Sequence, residues 1–256
     1  MLPEERRQQI LRVVMSKKSA TVDALAMMLG ISANTVRRDL NALARQNLLV
    51  RTHGGAVANY VSTGILDSNY MERSQQFIEE KQRIGSAAVR LINDGETVIL
   101  DYGSTALQIA KQMRQLKKCT VLTSSLPVAV ELLNAPQILV YLSGGIINHS
   151  TYGLIGPDAE SFYDGVNADK GFISVARVDI EHGLMSSNWF EVNVKRKMME
   201  RCREVILLLP HYRLDTRGMV GFGQLSAVHK VITDKLLPPS YQEFFDRLGV
   251  QVIVAT

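Results

Sequence analysis

This chain of 256 residues has few cysteines and no long apolar run, and these scarcities exclude several classes of protein. Its two cysteines, Cys119 and Cys202, lie far apart in apolar segments, which predicts buried thiols rather than a disulfide framework. No apolar run approaches the ~20 residues that a membrane-spanning helix needs. The amino terminus is charged over residues 4–7 and so lacks the pattern of a signal peptide. We therefore expect a cytoplasmic protein with no membrane partner.

Histidine is also sparse, and its positions do not indicate a metal site. The five histidines show no ligand spacing with one another or with the cysteines. They are His53, His149, His182, His211 and His229. We expect neither a metal nor a cofactor. What the chain does have is a globular composition, with 46% hydrophobic and 21% charged residues.

Positive charge is concentrated at one end of the chain. The first 60 residues hold nine Lys or Arg residues against four acids, whereas the whole chain has a net charge of only +4. A basic head on a nearly neutral body is typical of proteins that bind nucleic acids. Many small domains are basic by chance, so this observation needs support from the pattern of the head.

That pattern predicts three helices and a hairpin within residues 1–58. Apolar residues recur at helical spacing over 4–17, and Thr21 is a plausible N-cap for a short second helix that Gly30 ends. Ser32 can cap a third helix from Ala33 to about Gln46. The paired glycines after the strand-like run 48–53 predict a hairpin. Together these elements predict a winged helix-turn-helix.

The start of the third helix carries the side chains suited to reading DNA. Arginine can pair with guanine and asparagine with adenine, while a helix N-terminus with hydroxyls suits phosphate. On the hairpin, Arg51 and His53 could reach the backbone or the minor groove. The alternative is an ordinary three-helix bundle with a solvated basic face. The predicted DNA-binding residues are Ser32, Asn34, Thr35, Arg37, Arg38, Arg51 and His53.

Beyond the head, residues 59–80 are predicted to form a linker and residues 81–256 a second domain. From residue 81 onward, helical patterns alternate with continuous apolar strands, as at 97–101, 120–123 and 138–142. Such alternation is typical of an α/β domain with a mostly parallel sheet covered by helices.

Three loops that follow successive strands predict a ligand site in this domain. Asp101–Thr105 joins a strand to a helix and offers a close backbone approach at Gly103 with the hydroxyls of Ser104 and Thr105. Ser124 and Ser125 follow the next strand, and Gly144 with Gly145 follows the third. Loops at the carboxyl ends of parallel strands converge on one crevice. A plain capped β–α turn at Asp101–Thr105 is the alternative.

These segments also carry a family resemblance. Residues 5–11, 31–40 and 51–56 resemble the DeoR family of bacterial sugar-metabolism regulators. The resemblance continues along the body, in order and spacing, at 80–84, 101–105, 123–127, 144–145, 156–157, 169–170, 191–196 and 232–234. It implies a sensor domain similar to sugar-phosphate isomerases of the ribose-5-phosphate isomerase type. It also implies a repressor of a carbohydrate operon that binds an operator as a homodimer or homotetramer.

The resemblance further implies which residues hold a small effector, expected to be a phosphorylated sugar or a related metabolite. They are Asp101, Gly103, Ser104, Thr105, Ser124, Ser125, Lys195 and Arg213, and the convergence of the three loops adds Gly144. Arg213 stands where the family usually has lysine. From the residues alone, Glu191 and Lys195 could equally form a surface i,i+4 ion pair. The rival function is an isomerase-type enzyme fused to a DNA-binding head, but no second carboxylate has a convincing spacing, so we expect no enzyme.

Overall fold

The structure is a computed structural model, and it describes residues 3, 6, 7, 9, 10, 13, 14, 19–45, 49–52, 54–58, 70–214 and 218–256. The chain divides into two compact units, Met1–Leu66 and Asp67–Thr256. Within the described ranges, no helix is both long and apolar enough to cross a membrane.

The first unit combines helices with a small antiparallel sheet. The described residues between 3 and 14 are helical and bury Ile10 and Val14. Two further helices span Val22–Leu29 and Ala33–Arg45. The strands are β1 (Ser19–Thr21), β2 (Leu49–Arg51) and β3 (Gly55–Ala58), in the order β1-β3-β2. This arrangement is the predicted helix-turn-helix with its wing, to which β1 adds a strand that the sequence pattern did not indicate.

The predicted caps of the second and third helices are confirmed. The hydroxyl of Thr21 accepts a hydrogen bond from the Ala24 amide at 3.2 Å, and that of Ser32 accepts one from Thr35 at the same distance. Gly30 ends the second helix with φ 64°, a left-handed conformation that costs a glycine little. These caps fix the short turn between the two helices.

A glycine in the wing provides a test of this packing. A Cβ at Gly55 would lie 2.1 Å from the backbone oxygen of Ala20, whereas one at Gly54 would meet nothing within 4 Å. No rotamer relieves a clash between a Cβ and backbone, so we expect Gly55→Ala to destabilise the head by about 3 kcal/mol and to weaken DNA binding at least tenfold. Calorimetry and operator titration measure both effects. Gly54→Ala is the matched control, and equal behaviour of the two variants would contradict the strand pairing.

The second unit is built on a seven-stranded sheet whose neighbouring strands all run parallel. In chain order the sheet strands are β4 (Thr97–Leu100), β5 (Cys119–Thr123), β6 (Ile138–Leu142), β9 (Ala168–Ser174), β12 (Cys202–Leu208), β14 (Lys230–Thr233) and β15 (Gln251–Val254). Their spatial order is β15-β14-β12-β9-β4-β5-β6. The predicted α/β class with a parallel, helix-covered sheet is confirmed.

Helices cover the two faces of this sheet. One face packs against Ile78–Val89, Ser104–Gln112 and Leu126–Leu132, and the other against Trp189–Glu200 and Pro239–Arg247. Each face has its own apolar core, as continuous apolar strands require. A short helix, Pro157–Ser161, also borders the second face.

Two small antiparallel sheets lie outside the alternating pattern. One is the hairpin of β7 (Ile146–Asn148) and β8 (Gly153–Ile155). The other contains β10 (Arg177–Asp179), β11 (Gly183–Ser186) and β13 (Val220–Gly223). A helix, Tyr70–Gln75, falls inside the range that the sequence gives to the linker, and the next helix begins at Ile78. Residues 59–69 of that linker lie outside the described residues.

Candidate DNA-binding surface and effector cleft

The third helix of the head presents its polar side chains on one exposed surface. Val36, Leu40 and Leu43 are buried, whereas Arg37 and Arg38 are exposed. The predicted residues Ser32 and Asn34 are also exposed, and Thr35 is half-buried. This separation leaves the first two turns of the helix accessible to a major groove.

Hydrogen bonds already organise part of this surface. Arg37 donates from Nη1 to Oδ1 of Asn34 at 3.0 Å, which orders two side chains suited to base edges. Arg51 donates from Nε to Asn41 Oδ1 at 3.1 Å and from Nη1 to the Gly55 carbonyl at 2.6 Å, so its guanidinium ties the helix to the wing. The predicted contact residue His53 lies outside the described residues.

One anchor of the helix was not recognised from the sequence. Asp39 is buried and accepts hydrogen bonds from the guanidinium groups of Arg6 at 2.5 Å and Arg7 at 3.3 Å. A buried carboxylate with charged partners holds the amino-terminal helix against the third helix. Arg6 and Arg7 therefore stabilise the fold of the head.

A small cleft, partly open to solvent, lies at the carboxyl ends of the adjacent strands β4, β9 and β12. The predicted residues Gly103, Ser104 and Thr105 line it, together with Lys195 and Arg213. Gly103 is needed there because a Cβ would lie 2.8 Å from the Ser174 hydroxyl. The remaining polar lining is largely hydroxyl, from Thr151, Ser174, Ser186 and Ser187.

Asp101 and Lys195 form a buried ion pair beneath this cleft. Asp101 is fully buried and pairs through Oδ2 with Nζ of Lys195, which also donates to the Ser174 carbonyl at 2.8 Å. The backbone amides of Tyr102 and Ser174 donate to Asp101 at 2.7 and 2.8 Å. Burial raises the pKa of Asp101, and the ammonium of Lys195 together with the two amides opposes that rise. Lys195 is thereby held by the carboxylate of Asp101 while it also lines the cleft.

Glu191 is held by hydroxyl and amide groups, while the ammonium of Lys195 pairs with Asp101. Its Oε1 accepts from Asn148 and from Thr151, both at 3.0 Å, and its Oε2 accepts from Ser186 at 2.9 Å. Burial raises the pKa of Glu191, and the nearby ammonium of Lys195 counteracts part of that rise. The carboxylate thus joins the β7–β8 hairpin to β11 along one wall of the cleft.

The helix Tyr70–Gln75 contributes a cationic side chain that the sequence pattern did not reveal. Arg73 lines the cleft and donates from Nη2 to the Ser150 carbonyl at 2.6 Å. Its signal in the sequence is weak, because a six-residue polar helix shows no apolar period. The wall of the cleft therefore includes the first described helix of the second unit.

An elbow at Gln76 and Phe77 joins this helix to the next one, Ile78–Val89. Phe77 has φ 52° and ψ 43°, a left-handed conformation that is strained for an aromatic residue, and its ring stacks on Tyr212 at 4.1 Å. The buried Lys81 secures the elbow, because its Nζ donates to the carbonyls of Arg73 and of Gln76. Burial, with Arg213 and Arg73 nearby, lowers the pKa of Lys81 to about 8.

Three predicted effector residues lie away from the cleft lining. Ser124 is buried and hydrogen-bonds to Tyr163 and to Ser143, both at 2.9 Å. Ser125 caps the helix Leu126–Leu132, and Gly144 is exposed. The β7–β8 hairpin covers the ends of these strands, since the Leu154 amide donates to the Ser124 carbonyl at 2.7 Å.

One group of possible metal ligands occurs in the β10–β11 turn. Ligand atoms of Asp179, Glu181 and His182 lie within 4.8 Å of one another. Oδ1 of Asp179, however, accepts the amides of Glu181 and His182 at 2.9 Å each, and the His182 ring at 2.8 Å. These contacts are those of an Asx turn that closes the hairpin.

Both units match known domains of one family. Residues 6–61 match the DeoR-like helix-turn-helix domain, and residues 76–235 match the DeoR C terminal sensor domain. The chain belongs to the DeoR family. Membership in the DeoR family confirms the resemblance seen in the sequence and the prediction of a DNA-binding transcription regulator.

Curated relatives of the DeoR family match along almost the whole chain. The HTH-type transcriptional regulator GolR of Listeria innocua is 31% identical over 255 residues, which is 100% of both chains. The repressor GlcR of Bacillus subtilis is 33% identical over 254 residues, covering 99% of this chain and 97% of that protein. The glycerol-3-phosphate regulon repressor of Escherichia coli is 29% identical over 252 residues, covering 98% of this chain and 99% of that protein.

Among solved structures, ribose 5-phosphate isomerase A from Methanocaldococcus jannaschii has 15% identity to this DeoR-family chain and a TM-score of 0.39. The match covers 52% of this chain and 53% of that one. At this level the likeness says nothing about activity.

Proposed function

We propose that this protein is a repressor whose operator binding is controlled by a phosphorylated sugar or a closely related anionic metabolite. The observation that carries the proposal is the cleft at the ends of β4, β9 and β12. Arg73, Lys195 and Arg213 line this cleft together with several hydroxyl groups. Guanidinium and ammonium groups bind phosphate, and hydroxyls suit the rest of a sugar. The similarity to GlcR, a transcriptional repressor, supports repression, and the similarity to the glycerol-3-phosphate regulon repressor supports a link to a phosphorylated metabolite.

Effector control requires a part of the protein that changes between two states. We assign this role to the helix Tyr70–Gln75, because its Arg73 lines the cleft and it is the first described helix of the second unit. An anion beside Arg73 would also favour the charged form of Lys81, whose ammonium holds the elbow at Gln76. The effector would thereby bias the orientation of the helix Tyr70–Gln75.

The carboxylates of the cleft favour a sensor over an isomerase. Asp101 accepts from Lys195 and two backbone amides, and Glu191 accepts three hydrogen bonds from neighbouring side chains. A general base needs a lone pair directed at its substrate. Carboxylates engaged in this way serve to position other groups. Isomerisation of a sugar phosphate by the purified protein would revive the enzyme hypothesis.

The first experiment combines operator discovery with an effector screen. Genomic DNA fragments retained by the protein at near-physiological salt would be sequenced, and enrichment of sites with repeated half-sites is the expected result. The enriched operator would then be titrated with a panel of sugar phosphates and their unphosphorylated parent sugars. Release by phosphorylated members alone supports the proposal, whereas equal release by the parent sugars would contradict an anionic effector.

Arg73→Gln tests the role of the helix Tyr70–Gln75 in effector control. We expect the variant to bind operator with unchanged affinity but to need at least tenfold more effector for release, because a charged contact to the phosphate is lost. Arg83→Gln is the matched control, since Arg83 is an exposed arginine on the next helix. If both variants respond like the native protein, the proposed path through Arg73 is wrong.

A further inference from the structure

The described residues expose an unusual concentration of large apolar side chains around strand β6. Seven of the sixteen exposed large hydrophobic residues fall between positions 130 and 147, each with 39–79% of its surface exposed. They are Val130, Leu133, Leu139, Tyr141, Leu142, Ile146 and Ile147. A concentration of exposed apolar side chains of this kind marks an interaction site more often than a free surface.

Strand β6 is itself an unprotected edge. In the described part of the chain it pairs only with β5, so its outer row of backbone N–H and C=O groups has no strand beside it. Its sequence, Ile138-Leu139-Val140-Tyr141-Leu142, contains neither charge nor proline. Proteins normally protect such edges with lysine, proline or a bulge. An edge without these devices is suited to pairing with another strand.

Among the described residues, one face of the sheet is also left uncovered at this edge. Ile138 and Val140 pack under the helix Leu126–Leu132, whereas Leu139 and Tyr141 on the opposite face are 56% and 48% exposed. Parallel sheets are ordinarily covered on both faces. The exposed Leu133 directly follows the helix that covers the other face.

We propose that the β6 edge is the surface through which two copies of this chain associate, with the two β6 strands antiparallel across a two-fold axis. An uncharged strand can meet its own copy without opposing like charges, as an isologous interface requires. The seven side chains expose in total on the order of 800 Å², which is the upper limit of what they can contribute and reaches the area that each partner buries in a stable interface. The proposal goes beyond effector control and does not depend on the identity of the effector.

Sedimentation velocity on the full chain tests this interface. We expect Leu139→Lys with Tyr141→Lys to halve the mass of the assembly, because lysines from both copies would bring like charges together across the paired strands. Leu236→Lys with Leu248→Lys is the control, since both leucines are exposed outside residues 130–147. Persistence of the native assembly in the first variant, or a native chain that is monomeric at micromolar concentration, would overturn the proposal. The latter result would leave another protein as the occupant.

Hydrogen exchange on the native protein gives a second readout that needs no variant. Backbone amides of β6 that face away from β5 should exchange at least tenfold more slowly at high than at low protein concentration. Exchange that does not depend on concentration in an assembled protein would place the interface elsewhere. Because neither experiment contains DNA or effector, their failure is distinguishable from failure of the proposed function.

Discussion

Replacing Arg37 and Arg38 together by alanine is expected to weaken operator binding by at least about a hundredfold while the head stays folded. Both guanidinium groups are exposed at the start of the third helix, so their removal leaves the apolar core of the head untouched. A bidentate contact between arginine and a base contributes about 1–3 kcal/mol, and two such contacts account for the loss. Titration of operator and of unrelated DNA at the same salt concentration measures the effect.

Arg45→Ala separates base reading from general attraction to DNA. Arg45 is exposed on the same helix but lies roughly 11 Å further along it, near the carboxyl end. Its removal should lower affinity for operator and unrelated DNA by a similar small factor. Single variants Arg37→Ala and Arg38→Ala should instead reduce the preference for operator. Should all three single variants behave alike, this helix would contribute only charge.

The long elements of the fold could be predicted because their patterns are repeated and local. Each strand of the parallel sheet contains a short apolar run, and the caps at Thr21, Gly30 and Ser32 are set by residues within one turn. The small sheets are different. Strands β7 and β8 have three residues each, and β10 is equally short, so too few positions exist for an alternation to show.

The same distinction between local pattern and tertiary packing applies to the residues of the candidate site. Asp101–Thr105 was found because a strand, a glycine and two hydroxyls stand next to one another in the sequence. That Lys195 contacts Asp101 depends on packing across 94 positions, which no local pattern contains. The hydroxyls of Ser124 and Ser125 have the same local chemistry as Ser104, but the β7–β8 hairpin covers them. Whether a strand end is open is decided by tertiary structure.

The largest expected loss of stability comes from Lys195→Met. The variant keeps an aliphatic side chain of similar length but leaves Asp101 fully buried without its ammonium partner. Removing one member of a buried ion pair costs about 3–5 kcal/mol in the free energy of unfolding. Adding Asp101→Asn removes the buried charge, so the double variant should recover most of that loss. Urea unfolding of the two single variants, the double variant and the native chain gives the coupling energy between the side chains.

The same variants should differ in their dependence on pH. Burial already raises the pKa of Asp101, and loss of the ammonium in Lys195→Met raises it further. Between the ordinary aspartate pKa and this raised value, the unfolded chain releases a proton that the folded chain keeps. The stability of Lys195→Met relative to the double variant should therefore fall as pH rises from 4 to 7. A constant difference across this range would show that Asp101 stays ionised without Lys195, with the amides of Tyr102 and Ser174 sufficient to hold its charge.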